Sequence, residues 1–217
     1  MLANSLVVLD FETTGLSPDQ GDRAIEIGAV KLEDGIATER FQALMNPGQR
    51  INSFIESYTG ITNQMLAEAA PCAEVMADFS DFIGASNLLA HNASFDSRFL
   101  HAELARLGRQ VSGEFVCSLL LARRIYQDAP NHKLGTLIEY KNIVADGGFH
   151  RALFDAEMTA ELWLAMLNDL NERYELGDIP FSLIQRLAKT PKARIEPFLR
   201  NYAAKNRTIA RPSRGIL

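Results

Sequence analysis

The run Leu6-Val7-Val8-Leu9 ends in two acids one residue apart, Asp10 and Glu12, in the stretch VVLDFETTG. In an extended chain, positions i and i+2 share a face with Cα atoms about 6.6 Å apart. Asp10 and Glu12 therefore point together, and Phe11 points to the opposite side. An ionised carboxylate in apolar surroundings is costly unless something compensates it. Two hard oxygen ligands on a rigid strand suit Mg²⁺ or Mn²⁺. A strand merely emerging into solvent gives the same pattern, because Asp-x-Glu is common.

Two further acids stand in comparable settings. In AHNASFDSRFL, a helix starting near Ala93 puts Asp96 on one stripe with Leu100, Leu104 and Leu107, which turns it toward the core. The plainer alternative is a favourable charge at a helix N-terminus, with Asn92 as the N-cap. In HRALFDAEMTAELW, Asp155 lies near the start of a long helix, and His150 precedes it by five residues, on a loop after Gly147-Gly148. A lone histidine before a helix is commonly a surface or capping residue.

The elements that must position these groups can be read from pattern. Residues 5–12 form a strand; 24–33 and 36–44 form a hairpin about Asp34-Gly35. Short strands follow at 87–90 and 114–117. Helices are predicted at 71–83 with Val75, Met76, Phe79 and Phe82 inward, at 93–107, 118–126 and 134–141. A long helix over 151–170 carries Ala156, Ala160, Trp163, Leu167 and Leu170 at helical spacing. The class is α/β, a mixed five-stranded sheet flanked by helices.

Taken together, DFETTG, HNASFD and HRALFD resemble, in order and context, the three motifs of the DEDD exonuclease superfamily. A histidine five residues before the last aspartate marks its DEDDh branch, the proofreading-type 3′–5′ exonucleases similar to the DNA polymerase III epsilon subunit and ribonuclease T. YTGIT (58–62), CSLLLARRIY (117–126) and HKLGTL (132–137) add support, and the resemblance spans about residues 5–170. It implies an RNase H-like fold and two divalent cations, Mg²⁺ or Mn²⁺, that relieve the repulsion of four clustered carboxylates. It implies Asp10 as bridging ligand, Glu12 and Asp155 on the side of the attacking water, Asp96 on the other cation, and His150 as general base, a role suited to imidazole. Thr13 and Thr14 would meet the terminal 3′-OH and Leu16 would wedge against the last base. Phe95 and Ile61 would line an apolar slot, or be ordinary core residues; Asn92 would touch substrate or cap its helix. Arg123, Arg124 and Lys133 fit phosphate contacts and solvated surface equally.

The implied substrate is a nucleic acid 3′ end, DNA favoured and RNA possible, with a polymerase or a second copy as a possible protein partner. A noncatalytic binding or docking module is the contrasting class, and the intact acid set argues against it. With 217 residues, 47% apolar and 23% charged, the chain reads as a globular domain with a short extension. No apolar run is long enough for a membrane span, no secretion signal is evident, and Cys72 and Cys117 read as reduced core thiols, so a cytoplasmic location is expected. Charge is unevenly spread. Residues 180–217 hold nine Lys or Arg and one acid, whereas the preceding 179 hold 13 basic and 26 acidic residues. The expected division is therefore an exonuclease domain over 1–179 and a basic extension over 180–217. That extension reads as short amphipathic helices interrupted by Pro191 and Pro197, able to pack on the domain, bind duplex or dock a partner.

Overall fold

A computed structural model describes residues 1–147 and 150–210, with side chains up to residue 206. The first strand, β1 (Leu6–Thr13), divides the molecule into two layers. Leu6 and Val8 pack into one apolar cluster, and Val7, Leu9 and Phe11 into the other, as the period of two requires. β2 (Ala24–Glu33) pairs antiparallel with β1 and turns at Asp34-Gly35 into β3 (Ile36–Leu44). Both turn residues have positive φ, 51° and 81°, the combination that lets a two-residue hairpin follow the twist of its strands.

Two short helices follow, α1 (Ser53–Thr59) and α2 (Asn63–Glu68). Asn52 caps the first by accepting the Ile55 N–H at 3.0 Å, and Gly60 ends it at φ 72°. Thr62 caps the second. Next come α3 (Cys72–Ile83), β4 (Leu88–Ala90), α4 (Ser94–Arg106), β5 (Phe115–Cys117), α5 (Ser118–Ile125), α6 (Leu134–Tyr140) and α7 (Ala152–Tyr174). β4 runs parallel to β1 and β5 parallel to β4, giving the order β3-β2-β1-β4-β5. The five strands agree with the sequence expectation to within one residue at either end.

Several expectations change. α1 and α2 were not foreseen, and α7 continues to Tyr174. Asn92 does not cap α4 with its side chain: it adopts φ 74°, and the helix begins at Ser94 behind it. Phe82 is only half-buried, stacked near Phe41 and Phe79. Both thiols are free, Cys72 buried and Cys117 half-buried. Gly148 of the expected glycine pair lies outside the described residues.

The basic extension is built into the core. α8 (Phe181–Lys189) and α9 (Ile195–Ala210) bury Phe181, Ile184, Leu187, Ile195 and Leu199 in the same cluster as Leu6, Val8 and Trp163. Pro191 separates the two helices, but Pro197 does not interrupt; it sits in the first turn of α9, where no N–H is needed. The amphipathic reading holds for residues 181–206, and residues 211–217 of the extension lie outside the described residues. The chain's first residues fasten to this segment: Ala3 N–H donates to Ile179 O at 2.8 Å and Phe181 N–H to Met1 O at 3.1 Å. Among the described residues no helix is long and apolar enough to cross a membrane.

Candidate active site

Where β1 emerges from its apolar run, its acids meet one helix from each layer. Asp96 reaches from the first turn of α4 over the strand end, and its Oδ1 accepts the Phe11 N–H at 3.2 Å. Asp155, on the first turn of α7, arrives from the opposite layer. That approach depends on Gly28, which faces Asp10 across the β1–β2 ladder. A Cβ at Gly28 would lie 2.0 Å from the backbone nitrogen of Leu153, so only glycine lets α7 settle this close to the sheet.

Glu12 faces Glu26 across the same ladder, an unfavourable like-charge pair. Glu26 is fully buried and its charge is spent elsewhere. Arg151 binds it through Nη2 at 2.8 Å and Nε at 3.2 Å, and Ala152 N–H donates to it at 3.2 Å. Glu26 thereby anchors the start of α7, a role that the sequence reading passed over. The signal was an acid inside an alternating strand, two residues before the glycine.

Oxygen atoms of Asp10, Glu12 and Asp155 lie within 4.8 Å of one another. Burial pushes the Asp10 carboxyl well above the usual range, with repulsion from Asp96, Asp155 and Glu12 adding to it. Glu12 rises to about 8 and Asp96 to about 7, burial being the larger cause in both. Asp155 rises for the same reason, offset by the His150 N–H, which donates to its Oδ2 at 2.8 Å. Its other oxygen, Oδ1, is buried with no hydrogen-bond partner among the described residues. Carboxylates crowded to this degree are the donor set a hard divalent cation takes. The residues fit such ions.

His150 stands at the mouth with φ 71°, its imidazole 4.0 Å, centroid to centroid, from the ring of Tyr58. Tyr58 in turn stacks on Phe54, 5.8 Å away, and both rings are largely exposed. The sequence reading missed this aromatic pair; the Asn52 and Gly60 caps around it were the available sign of the helix that carries it.

A cleft of about 610 Å³ beside the acids is lined by Thr13, Thr14, Leu16 and Phe95 together with Phe54 and Tyr58. Leu16 is 73% exposed at its rim. The threonine groups are engaged within their own loop: Thr13 Oγ1 donates to Gly15 O at 2.6 Å, and Thr14 donates its hydroxyl to Asp22 and its N–H to Arg23 O. Ile61 is not part of the cleft. It is fully buried with Ile25, Ile51 and Leu66 in a small core beneath α1 and α2. Asn92 lines a neighbouring groove rather than this cleft.

Comparison with known proteins agrees with this geometry. A family model described as exonuclease matches residues 7–163. The chain is 33% identical over 190 residues to the DNA polymerase III subunit epsilon of Aquifex aeolicus, covering 87% of this chain and 92% of that one. It is 40% identical over 171 residues to the PolC-type DNA polymerase III of Caldanaerobacter subterraneus subsp. tengcongensis, covering 79% of this chain but only 12% of the length of that relative. Among solved structures, exonuclease X in complex with 5′-overhanging duplex DNA is similar with a TM-score of 0.64 and 28% identity, over 76% of this chain and 92% of that one. The nuclease domain of 3′hExo, a DEDDh family member, shares the fold at a TM-score of 0.65 and 22% identity, over 76% and 92% of the two chains. The chain belongs to the exonuclease family.

Proposed function

We propose that the protein hydrolyses phosphodiester bonds one at a time from the 3′ end of DNA, single-stranded or frayed, releasing nucleoside 5′-monophosphates. The observation that carries this reading is the convergence of Asp10, Glu12, Asp96 and Asp155 at one strand end, with a bare, buried oxygen on Asp155 and His150 at the mouth. Asp10, Glu12 and Asp155, with Asp96 beside them, would hold two divalent cations, Mg²⁺ or Mn²⁺, whose chemistry there is to acidify water and offset charge on the leaving oxygen. His150 takes the proton of the attacking water as its oxygen bonds to phosphorus. The bond from phosphorus to the upstream 3′-oxygen breaks, and that oxygen leaves with a proton from solvent. Leu16 and Phe95 offer the terminal base an apolar seat.

DNA is favoured over RNA because relatives of this chain are DNA polymerase III proteins. The same relationship supports a polymerase partner and a cytoplasmic place of work. The test is digestion of end-labelled single-stranded DNA, duplex DNA and RNA with Mg²⁺, Mn²⁺ or a chelator. Mononucleotides should appear from the 3′ end of DNA only with the metal. Asp155→Asn should remove activity, and His150→Ala should lower turnover by about 10²–10⁴-fold while Mn²⁺ binding persists. Full activity in chelator, or in Asp155→Asn, would sink the site assignment.

A further inference from the structure

A second hollow opens from the acids, a groove of about 1020 Å³ that shares Asp10, Tyr58, His150 and Asp155 with the cleft and then runs toward α5 and α6. Its chemistry differs from that of the cleft. Arg123 and Lys133 line it, both exposed, and among the described residues neither makes an ion pair or a side-chain hydrogen bond. The adjacent Arg124, by contrast, is tied to Thr190 O at 3.3 Å and serves to hold α5 against the end of α8. Glu139, toward the end of α6, is the groove's one acid outside the catalytic set among the described residues, and no ion pair among them joins it to either cation.

The wall that presents these cations is fixed from below. His91, half-buried just past β4, bridges Ser118 Oγ and His132 O, each at 2.9 Å. Burial pulls this imidazole down to about 4, so it is neutral at ordinary pH, and its Nε2–H donates to the carbonyl. His132 Nε2 meets Tyr126 O at 3.0 Å, and Lys133 N–H donates to Asn131 Oδ1 at 2.9 Å. The segment that carries Lys133 is thus pinned to a strand end and to α5.

We infer that this groove is the track for the strand upstream of the scissile bond, with Arg123 and Lys133 neutralising its next two phosphates. The inference rests on the exonuclease reading. A terminal nucleotide carries a single phosphate, the one under attack at the acids, so its base belongs in the cleft beside Leu16, Phe54 and Phe95. Every additional phosphate lies on the 5′ side. Cations with no ion-pair or side-chain hydrogen-bond partner among the described residues, in the hollow that leaves the acids by the other route, match those phosphates.

The experiment compares the native protein with Arg123→Gln/Lys133→Gln on four substrates: the p-nitrophenyl ester of thymidine 5′-monophosphate, and thymidine di-, tri- and tetranucleotides. The ester and the dinucleotide have no phosphate beyond the one attacked. In the native protein kcat/KM should climb from di- to tetranucleotide. In the double variant that climb should flatten, the tetranucleotide losing about tenfold, mostly through KM. The dependence of log KM on log salt should fall by about 1.4, two single-strand phosphates at ~0.7 each. Ester hydrolysis should stay within about twofold of native. A variant that keeps the length gain and the salt slope overturns the inference, as does a loss shared equally by the ester and the tetranucleotide. Should the native protein cleave neither ester nor oligonucleotide, the exonuclease reading itself fails, a result distinct from both.

Discussion

His150 occupies a left-handed backbone position and lays its ring against Tyr58, with its N–H on Asp155. An aromatic contact of this kind is worth about 0.5–1.5 kcal/mol, enough to bias where the imidazole rests. Tyr58→Ala should therefore lower kcat on the thymidine ester by roughly two- to tenfold with Mn²⁺ affinity intact, and Tyr58→Phe should behave like the native protein. A Tyr58→Ala defect confined to KM would mean that the ring stacks on substrate instead. At this scale Asp10 and Glu12 broke an apolar strand and Asp96 an apolar stripe, but each had a plainer alternative, and only the resemblance to the three motifs joined them with Asp155 and His150. Ile61 illustrates the limit, since an isoleucine after a turn looks the same in the sequence whether it faces a cleft or Ile25 and Leu66. Tyr58 and Glu26 became visible only when strands and helices were placed against each other.

Among the elements, α7 decides whether the acid set is complete. Its first turn rests on Gly28 and is held by the Glu26–Arg151 ion pair, and Asp155 rides on that turn. Gly28→Ala should force the turn outward at a cost of about 1–3 kcal/mol. A displacement of only ~1 Å can cost about 100-fold in rate, so activity should fall by about that factor. Calorimetric titration with Mn²⁺ should show weakened binding in parallel; a variant with native turnover would show that α7 tolerates the shift. The longer strands were readable from the sequence almost to the residue because an apolar run and two strand-like runs about an Asp-Gly turn are strong signals. α1 and α2, seven and six residues long, are too short to display a period, and only their caps announced them. Pro197 misled because a proline stops a helix in its interior but not in its first turn.

For the molecule as a whole, the acids set how stability varies with pH. Glu12 at about 8 and Asp96 at about 7 in the folded state stand above their unfolded values, and Asp10 and Asp155 are raised as well. Stability from groups shifted in this direction is fully present below the unfolded values and is lost as pH rises through the folded ones. Metal-free protein should thus weaken between about pH 5 and 8. Bound Mg²⁺ or Mn²⁺ offsets the charge, so the melting temperature gained from metal should increase from pH 6 to pH 8, by about 2–4 °C for each kcal/mol relieved. His91, depressed to about 4, works in the opposite sense, losing stability as pH falls from its unfolded value toward 4. It is common to samples with and without metal and cancels in the difference. A metal-induced gain that stays flat or shrinks toward pH 8 would contradict the electrostatic account. The extension shows what composition concealed: its excess of positive charge was plain in the sequence, but its apolar face fixes its position, against Trp163 and the sheet.

The fastening of Met1 and Ala3 to residues 179–181 has a consequence for the order in which the molecule is completed. β1 carries two of the four acids, whereas Asp155 and the residues that hold Met1 and Ala3 lie far along the chain from it. β1 can pair with β2 locally, but a segment that stops short of α7 lacks one of the four carboxylates, so the site depends on a contact of long sequence separation. The acid set, and any cleavage that depends on it, is therefore complete only once α7 has docked on the sheet.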